Sequence, residues 1–289
     1  MEFFQPATWA EALQMKAAHP EAVPIAGGTD VMVEINLDRQ RPAAIMDLNR
    51  IRELAEWERY DGMLRIGAGV TYTRLIDELG DRLPGLAMAS RTVGSPQIRN
   101  RGTVGGNLGT ASPAGDAHPP LLATDAIVEL ASTSGTRHVA IHEFFTGPKR
   151  SAMRKDELIA AFLVHPATGP QQFSKVGTRN AMVIAVCSFA VSLDPTHRSV
   201  GTGIGSAGPT PLRAPRAERF IEDVLLDENL WNLRTEVSAS ALQRFGDLVA
   251  RAAKPIDDVR GIASYRRHAL AVLARRCLTW AWNDYRLAA

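Results

Sequence analysis

Cysteine is nearly absent: the 289 residues carry only Cys187 and Cys277. Two thiols build no disulfide framework, and their scarcity fits a reducing compartment. Nor do they suffice for a self-contained iron–sulfur cluster, which normally takes four cysteines. Excess charge of either sign is missing as well. The formal net charge is +2, and no basic stripe interleaved with aromatics marks a nucleic-acid partner. Arg266, Arg267, Arg275 and Arg276 do cluster late, but at helical spacing, which predicts a solvated helix face or a subunit contact. No apolar run approaches the roughly 18 residues of a membrane span, so an integral membrane protein is not expected. Met1 to Pro6 contain no basic region followed by an apolar stretch, which reads as a cytoplasmic start. Finally, no G-x-G-x-x-G opens a helix, which argues against a Rossmann cofactor site.

What is present is an ordinary globular mixture, 45% hydrophobic and 22% charged, long enough for two or three domains. Thr8 and Glu11 form a capping box ahead of a helix that Pro20 stops. Val23 to Ala26 reads as a short strand, Val31 to Leu37 as a short helix and Ala43 to Leu48 as a second strand, a compact β-α-β start. Leu64 to Ala68 is strand-like, Thr71 caps a helix through Leu79, and another helix covers Gly85 to Thr92. Gly94 to Asp116 shows little pattern of either kind. Strands follow over Ala126 to Ala131, Arg137 to Ile141 and Glu157 to Val164, then a long one over Ala181 to Leu193 with Ser199 to Ile204 as its return partner. After Pro209 the chain turns helical, with long helices predicted over Leu233 to Ala252 and Ser264 to Arg286. In the last, Leu270, Leu273, Cys277 and Trp280 are expected on one buried face. Strands and helices are mixed without steady alternation, so the fold class is α+β.

Two glycine loops stand out. Ala26-Gly27-Gly28-Thr29-Asp30 follows a strand and opens a helical turn, where successive N–H groups make a concave anion site; a plain strand-to-helix turn explains it equally well. Thr103-Val104-Gly105-Gly106-Asn107 lies inside the patternless stretch, and a loop of that length is functional or disordered. Flanking apolar elements and the lack of charge runs favour function. Two such loops suit the two phosphates of a diphosphate. Glycine in both is expected to let the backbone approach a ligand closely.

The run Pro96-Gln97-Ile98-Arg99-Asn100-Arg101-Gly102-Thr103-Val104-Gly105-Gly106-Asn107, with A-G-G-T-D before it and S-P-x-x-D ending at Asp116 after it, resembles the FAD-binding medium subunit of molybdenum hydroxylases. That is the family of carbon monoxide dehydrogenase and xanthine dehydrogenase flavoproteins. The resemblance runs the length of the chain: Phe173, Lys175 and Arg179 match an F-x-K-x-x-x-R segment, Pro209 to Ala214 a P-T-P-x-R-A segment, and Asp258 to Gly261 with Tyr265-Arg266 a last motif. It implies a two-part FAD-binding domain of the vanillyl-alcohol-oxidase and cell-wall-reductase kind, residues 1–57 and 58–172, and a C-terminal antiparallel sheet with helices over 173–289.

The resemblance also implies the site. Ala26, Gly27, Gly28, Thr29, Asp30, Thr103, Val104, Gly105, Gly106 and Asn107 would hold the FAD diphosphate and ribityl groups without a covalent bond. Asp116 would help hold the cofactor, with an N-cap of the following helix as its other explanation. Lys175 would sit near the isoalloxazine, where an ammonium favours negative charge on the reduced ring; an exposed lysine on an edge strand is the alternative. Val93 and Ile159 occupy flavin-side positions but also suit a core. His118, at a helix start, is expected on the surface, His138 and His142 show no metal spacing, and both cysteines suit a core. No catalytic acid–base cluster and no metal site is expected. The implied partners are a small subunit with two [2Fe-2S] clusters and a large subunit with a molybdopterin cofactor, in a dimer of heterotrimers. Electrons would pass from the clusters to this FAD and on to an external acceptor. The rival readings are a free-standing FAD-dependent reductase or oxidase and a flavin-free structural subunit.

Overall fold

A computed structural model describes residues 1–288. The chain begins with β1 (Glu2–Phe4), α1 (Trp9–Ala18), β2 (Val23–Ile25), α2 (Val31–Asn36) and β3 (Ala44–Asp47). The three strands form one parallel sheet in the order β1-β3-β2. Thr8 caps α1 as its sequence predicts, its side chain accepting from the Glu11 N–H. The opening strand β1, only three residues long and mostly exposed, has too little alternation to be seen in the sequence.

Next come β4 (Trp57–Tyr60), β5 (Met63–Gly67), α3 (Tyr72–Leu79), α4 (Pro84–Arg91), α5 (Pro96–Arg99), α6 (Val104–Thr110) and α7 (His118–Ala123). They are followed by β6 (Ile127–Ser132), β7 (Gly135–Ala140), α8 (Ile141–Phe144), β8 (Phe145–Gly147), β9 (Arg150–Ser151) and β10 (Leu158–Val164). Five of these strands form an antiparallel sheet, β4-β5-β10-β6-β7. Its central strand β10, LIAAFLV, is buried at every position, as a strand covered on both faces must be. The stretch from Gly94 to Asp116 is not patternless backbone: it holds α5 and α6. Helices of one or two turns, one of them VGGNLGT, are too short and too glycine-rich to show a 3.6-residue period.

The last part is an antiparallel meander of β11 (Gln171–Val176), β12 (Cys187–Asp194) and β13 (Ser199–Gly205). It is covered by α9 (Pro215–Asp227), α10 (Leu230–Leu233), α11 (Ala239–Ala252) and α12 (Ala263–Leu287). The long strand expected over Ala181 to Leu193 is shorter: pairing begins only at Cys187, and residues 177–186 form a strap back toward the first half of the chain. The helix expected from Leu233 is broken, because Arg234 has a left-handed backbone and α11 restarts under a Ser238 cap.

On α12 the buried face is Leu270, Leu273, Cys277 and Trp282, not Trp280, which is 44% exposed. Trp282 stacks edge-on to Trp231 at 5.2 Å between centroids and donates from Nε1 to Thr235 O at 2.8 Å. Arg266 departs from the expected solvated face altogether. It is buried, donating to Val186 O and Ser206 O at 3.0 and 2.7 Å and pairing with Asp258. Removing a buried tryptophan from such a core costs about 3–5 kcal/mol. Trp282→Ala should therefore lower the urea-unfolding free energy of this part by about that amount, and Trp280→Ala by less than about 0.5 kcal/mol. Equal effects of the two substitutions would contradict the packing described.

Candidate functional site

The two glycine loops meet. After β2 the chain turns through Gly28, whose φ is +74°, a region glycine enters without strain. Gly27 faces the other loop so closely that an added Cβ would overlap the Arg101 carbonyl. Thr110 Oγ1, at the end of α6, donates to Asp30 Oδ2 at 2.9 Å, and Asn49 Nδ2 donates to Ala26 O at 2.8 Å. Thr103 caps α6 by accepting from Gly106 N at 2.8 Å. Gly105 packs against the backbone of Ala68, leaving no room for a Cβ. Two of the glycines thus permit close approach of the protein to itself, not to a ligand. Gly106 and Gly109 are different: an added Cβ would meet only the Thr103 hydroxyl at 3.1 Å and an Ile159 methyl at 3.8 Å.

Between the loops runs a cleft of about 1000 Å³, at the upper end of the roughly 300–1,000 Å³ usual for cofactor sites. Of the residues the sequence marks as cofactor contacts, Ala26, Gly27, Gly28, Thr29, Asp30, Val93, Thr103, Gly105, Gly106, Asn107, Asp116 and Ile159 line it. Val104 does not; it is fully buried in the core beneath α6. Lys175 does not line it either. The polar groups of the wall are poorly satisfied by the protein. Among the described residues, Asn107 Oδ1 and Asp116 Oδ1 are buried without a partner, and the N–H groups of Gly27, Gly28 and Thr29 find no acceptor. Buried polar atoms left unpaired are unusual in proteins. Grouped in one cleft, they suit a ligand rich in hydroxyl and phosphate oxygens.

Lys175 stands behind Asp116 on β11. Its Nζ donates to Asp116 Oδ2 at 2.6 Å, Thr92 O at 3.0 Å and Val183 O at 3.2 Å, three acceptors for three protons. Although β11 is an edge strand, the Lys175 side chain is only 10% exposed and pairs with the carboxylate. Burial raises the Asp116 carboxyl above its ordinary pKa, against the opposing pull of Lys175. Asp116 makes no capping bond to α7, whose N-cap is Ala117.

His118, expected on the surface, is fully buried. Its ring packs on Phe145 at 4.5 Å and fills the space a Cβ on Gly115 would need. Nε2 lies 3.2 Å from the Asn107 carbonyl, so the neutral ring carries its proton there and ties the end of the second loop to α7. Only the Gly115–His118 spacing hinted at this in the sequence. The strap contributes Met182, Val183 and Ile184 to the cleft, held by Arg179, which donates to Ala181 O and Met182 O at 3.1 and 3.2 Å. Neither cysteine is near the cleft; both thiols are buried in core, which pushes Cys187 up to about 12 and Cys277 to about 11.

A mixed α+β chain that closes two glycine-bearing loops over one deep cleft with orphaned acceptors is a binder of an extended, phosphate-bearing cofactor. Residues 1–166 match the family described as the FAD-binding domain in molybdopterin dehydrogenase, and residues 172–281 match the CO dehydrogenase flavoprotein C-terminal domain. The chain is 32% identical over 293 residues to the xanthine dehydrogenase FAD-binding subunit of Escherichia coli O157:H7, covering 96% of this chain and 95% of that one. It is 33% identical over 233 residues to the nicotinate dehydrogenase FAD-subunit of Eubacterium barkeri, covering 76% and 79%. Among solved structures, carbon monoxide dehydrogenase from Hydrogenophaga pseudoflava superposes with a TM-score of 0.87 at 26% identity, covering 98% of both chains. The chain belongs to the FAD-binding family of molybdopterin dehydrogenases, as a flavoprotein subunit of a molybdenum-hydroxylase-type oxidoreductase.

Burial holds the His118 imidazole down to about 4, from 6.5 when free. The unfolded chain takes up this proton as pH falls through 6.5, whereas the folded chain resists until about 4. The neutral ring's contribution is therefore complete above pH 6.5 and lost between 6.5 and 4, about 3 kcal/mol in all. In His118→Gln the pH dependence of unfolding free energy over that range should flatten by one proton. The same slope in both proteins would show that another group carries it.

Proposed function

We propose that FAD lies non-covalently along the cleft, with its diphosphate across the two loops, and that this chain joins the electron path of a larger complex. The observation that carries the reading is the grouping, among residues that line one cleft, of the unpartnered Asn107 Oδ1 and Asp116 Oδ1 with the first-loop N–H groups. These residues fit the cofactor: N–H donors for phosphates, acceptors for ribityl hydroxyls, and an apolar wall of Val93, Ile159 and the strap for a ring. Among the described residues, no histidine or cysteine lines the cleft. Bound FAD supplies a carrier that takes electrons from the [2Fe-2S] clusters of a partner subunit and yields them to an external acceptor.

The remaining roles fall to the chain's own residues. Lys175 holds Asp116 in place, and the strap lends the cleft the side chains of Met182, Val183 and Ile184. The chain itself has two cysteines, both in core, so the clusters belong to a small iron–sulfur subunit, and substrate oxidation to a large molybdopterin-bearing one. We place these in a dimer of heterotrimers in the cytoplasm. The relatives named above act on different substrates, which fits substrate choice being made in another chain. A division at about residues 57 and 172 is supported by the separate parallel, five-stranded and C-terminal sheets and by the separate core of the C-terminal part.

Two substitutions in the second loop separate cofactor from scaffold. Gly106→Val should keep circular dichroism and thermal unfolding near normal yet remove flavin absorbance from the purified chain. Gly105→Val, which has Ala68 in its way, should lose both. Full flavin occupancy in Gly106→Val would remove the cofactor from this loop. The subunit reading has its own test. Expressed alone, the chain should hold FAD but show no bleaching with the organic substrate of the complex, and co-expression with its genetic neighbours should restore bleaching. Rapid bleaching in the isolated chain would instead favour a free-standing reductase.

A further inference from the structure

Tyr72 opens α3 where the two loops converge. Its backbone N–H donates to Gly102 O at 3.0 Å, and its ring lies 3.3 Å from where a Cβ on Gly102 would stand. On the other side of that segment, Gly27 touches Arg101. The side chain is 3% exposed and lines the cleft. Its hydroxyl bonds to no group among the described residues and is not fully enclosed. The contrast is Tyr285, whose hydroxyl is satisfied by Trp231 O at 3.0 Å. A tyrosine held this deep without a partner is a donor awaiting one. Burial, with Asp116 and Asp30 nearby, raises the phenol's pKa well above its usual value, so the group stays protonated and able to donate.

We propose that the Tyr72 hydroxyl is a further cofactor-binding group, donating a hydrogen bond to a phosphate oxygen of the FAD diphosphate. The inference rests on the FAD reading of the cleft given above. Its position selects the diphosphate. The ring is wedged at the one segment that both loop backbones approach, Arg101–Gly102, beside the free N–H groups of Gly27, Gly28 and Thr29. A neutral phenol also suits an anion better than the carboxylates of the same cleft, Asp30, Glu34 and Asp116. A phosphate oxygen is charged, so the bond is of the stronger, charge-assisted kind.

The test uses the full chain stripped of flavin, titrated with FAD and, in competition, with ADP, which carries the diphosphate without the flavin ring. Tyr72→Phe keeps the buried ring and removes only the hydroxyl. The variant should bind FAD and ADP each about ten- to a hundredfold more weakly, while the thermal midpoint of the flavin-free protein stays the same or rises. Unchanged FAD affinity overturns the proposal. So does weakened FAD with unchanged ADP, which would put the contact on the ribityl or ring portion, and so does a lowered midpoint of the flavin-free variant, which would make the hydroxyl structural. Failure of the wild-type chain to bind either ligand would instead remove the FAD reading itself.

Discussion

The cleft depends on one close approach, that of Gly27 to the Arg101–Gly102 backbone. Two segments about 75 residues apart in sequence are brought to contact there, and no side chain fits between them. The hydrogen bond from Thr110 to Asp30 fixes their spacing further along, and Tyr72 backs the junction through Gly102. With the loops pressed together, the residues that carry unsatisfied N–H groups and acceptors line one cleft. A side chain at residue 27 would part them, and the wall would become two unrelated turns.

A second constraint ties the C-terminal sheet to this cleft. Lys175 reaches from β11 to Asp116, Thr92 and Val183, joining the sheet, the end of α4, the second loop and the strap. Breaking a buried pair of this kind costs about 3–5 kcal/mol, because the remaining charge is left alone in a poor solvent. The pair also shapes the electrostatics. Asp116 lines the cleft and Lys175 does not, so the ammonium stands behind the carboxylate it pairs with.

Beneath the second loop, the neutral His118 ring acts as a prop. It supplies one hydrogen bond to Asn107 O and fills the hollow under Gly115. An imidazole serves here because its flat ring fits against Phe145 while its N–H meets the carbonyl, a combination no aliphatic side chain provides. The orphaned Asn107 side chain is thereby presented from a backbone that cannot sag.

The sequence alone determined the local features: the Thr8 and Thr71 caps, the β-α-β start, the strands β6 and β7, and the presence of the two glycine loops. Each depends on neighbours within a few residues, through propensity, capping and alternation. Tertiary structure decided the rest. That Gly27 and Gly105 face protein while Gly106 faces the cleft is a matter of direction, and sequence spacing carries no direction for a residue without a side chain. His118 and Arg266 read as surface groups by type, but partners far along the chain, Asn107 O for one and Val186 O and Ser206 O for the other, offset the cost of burying them. Trp282 displaced Trp280 from the core because Trp231 and Thr235, on a different element, stand opposite it. Tyr72 left no mark in the sequence, since an unpaired hydroxyl is recognisable only when the groups around it have been placed and found not to reach it.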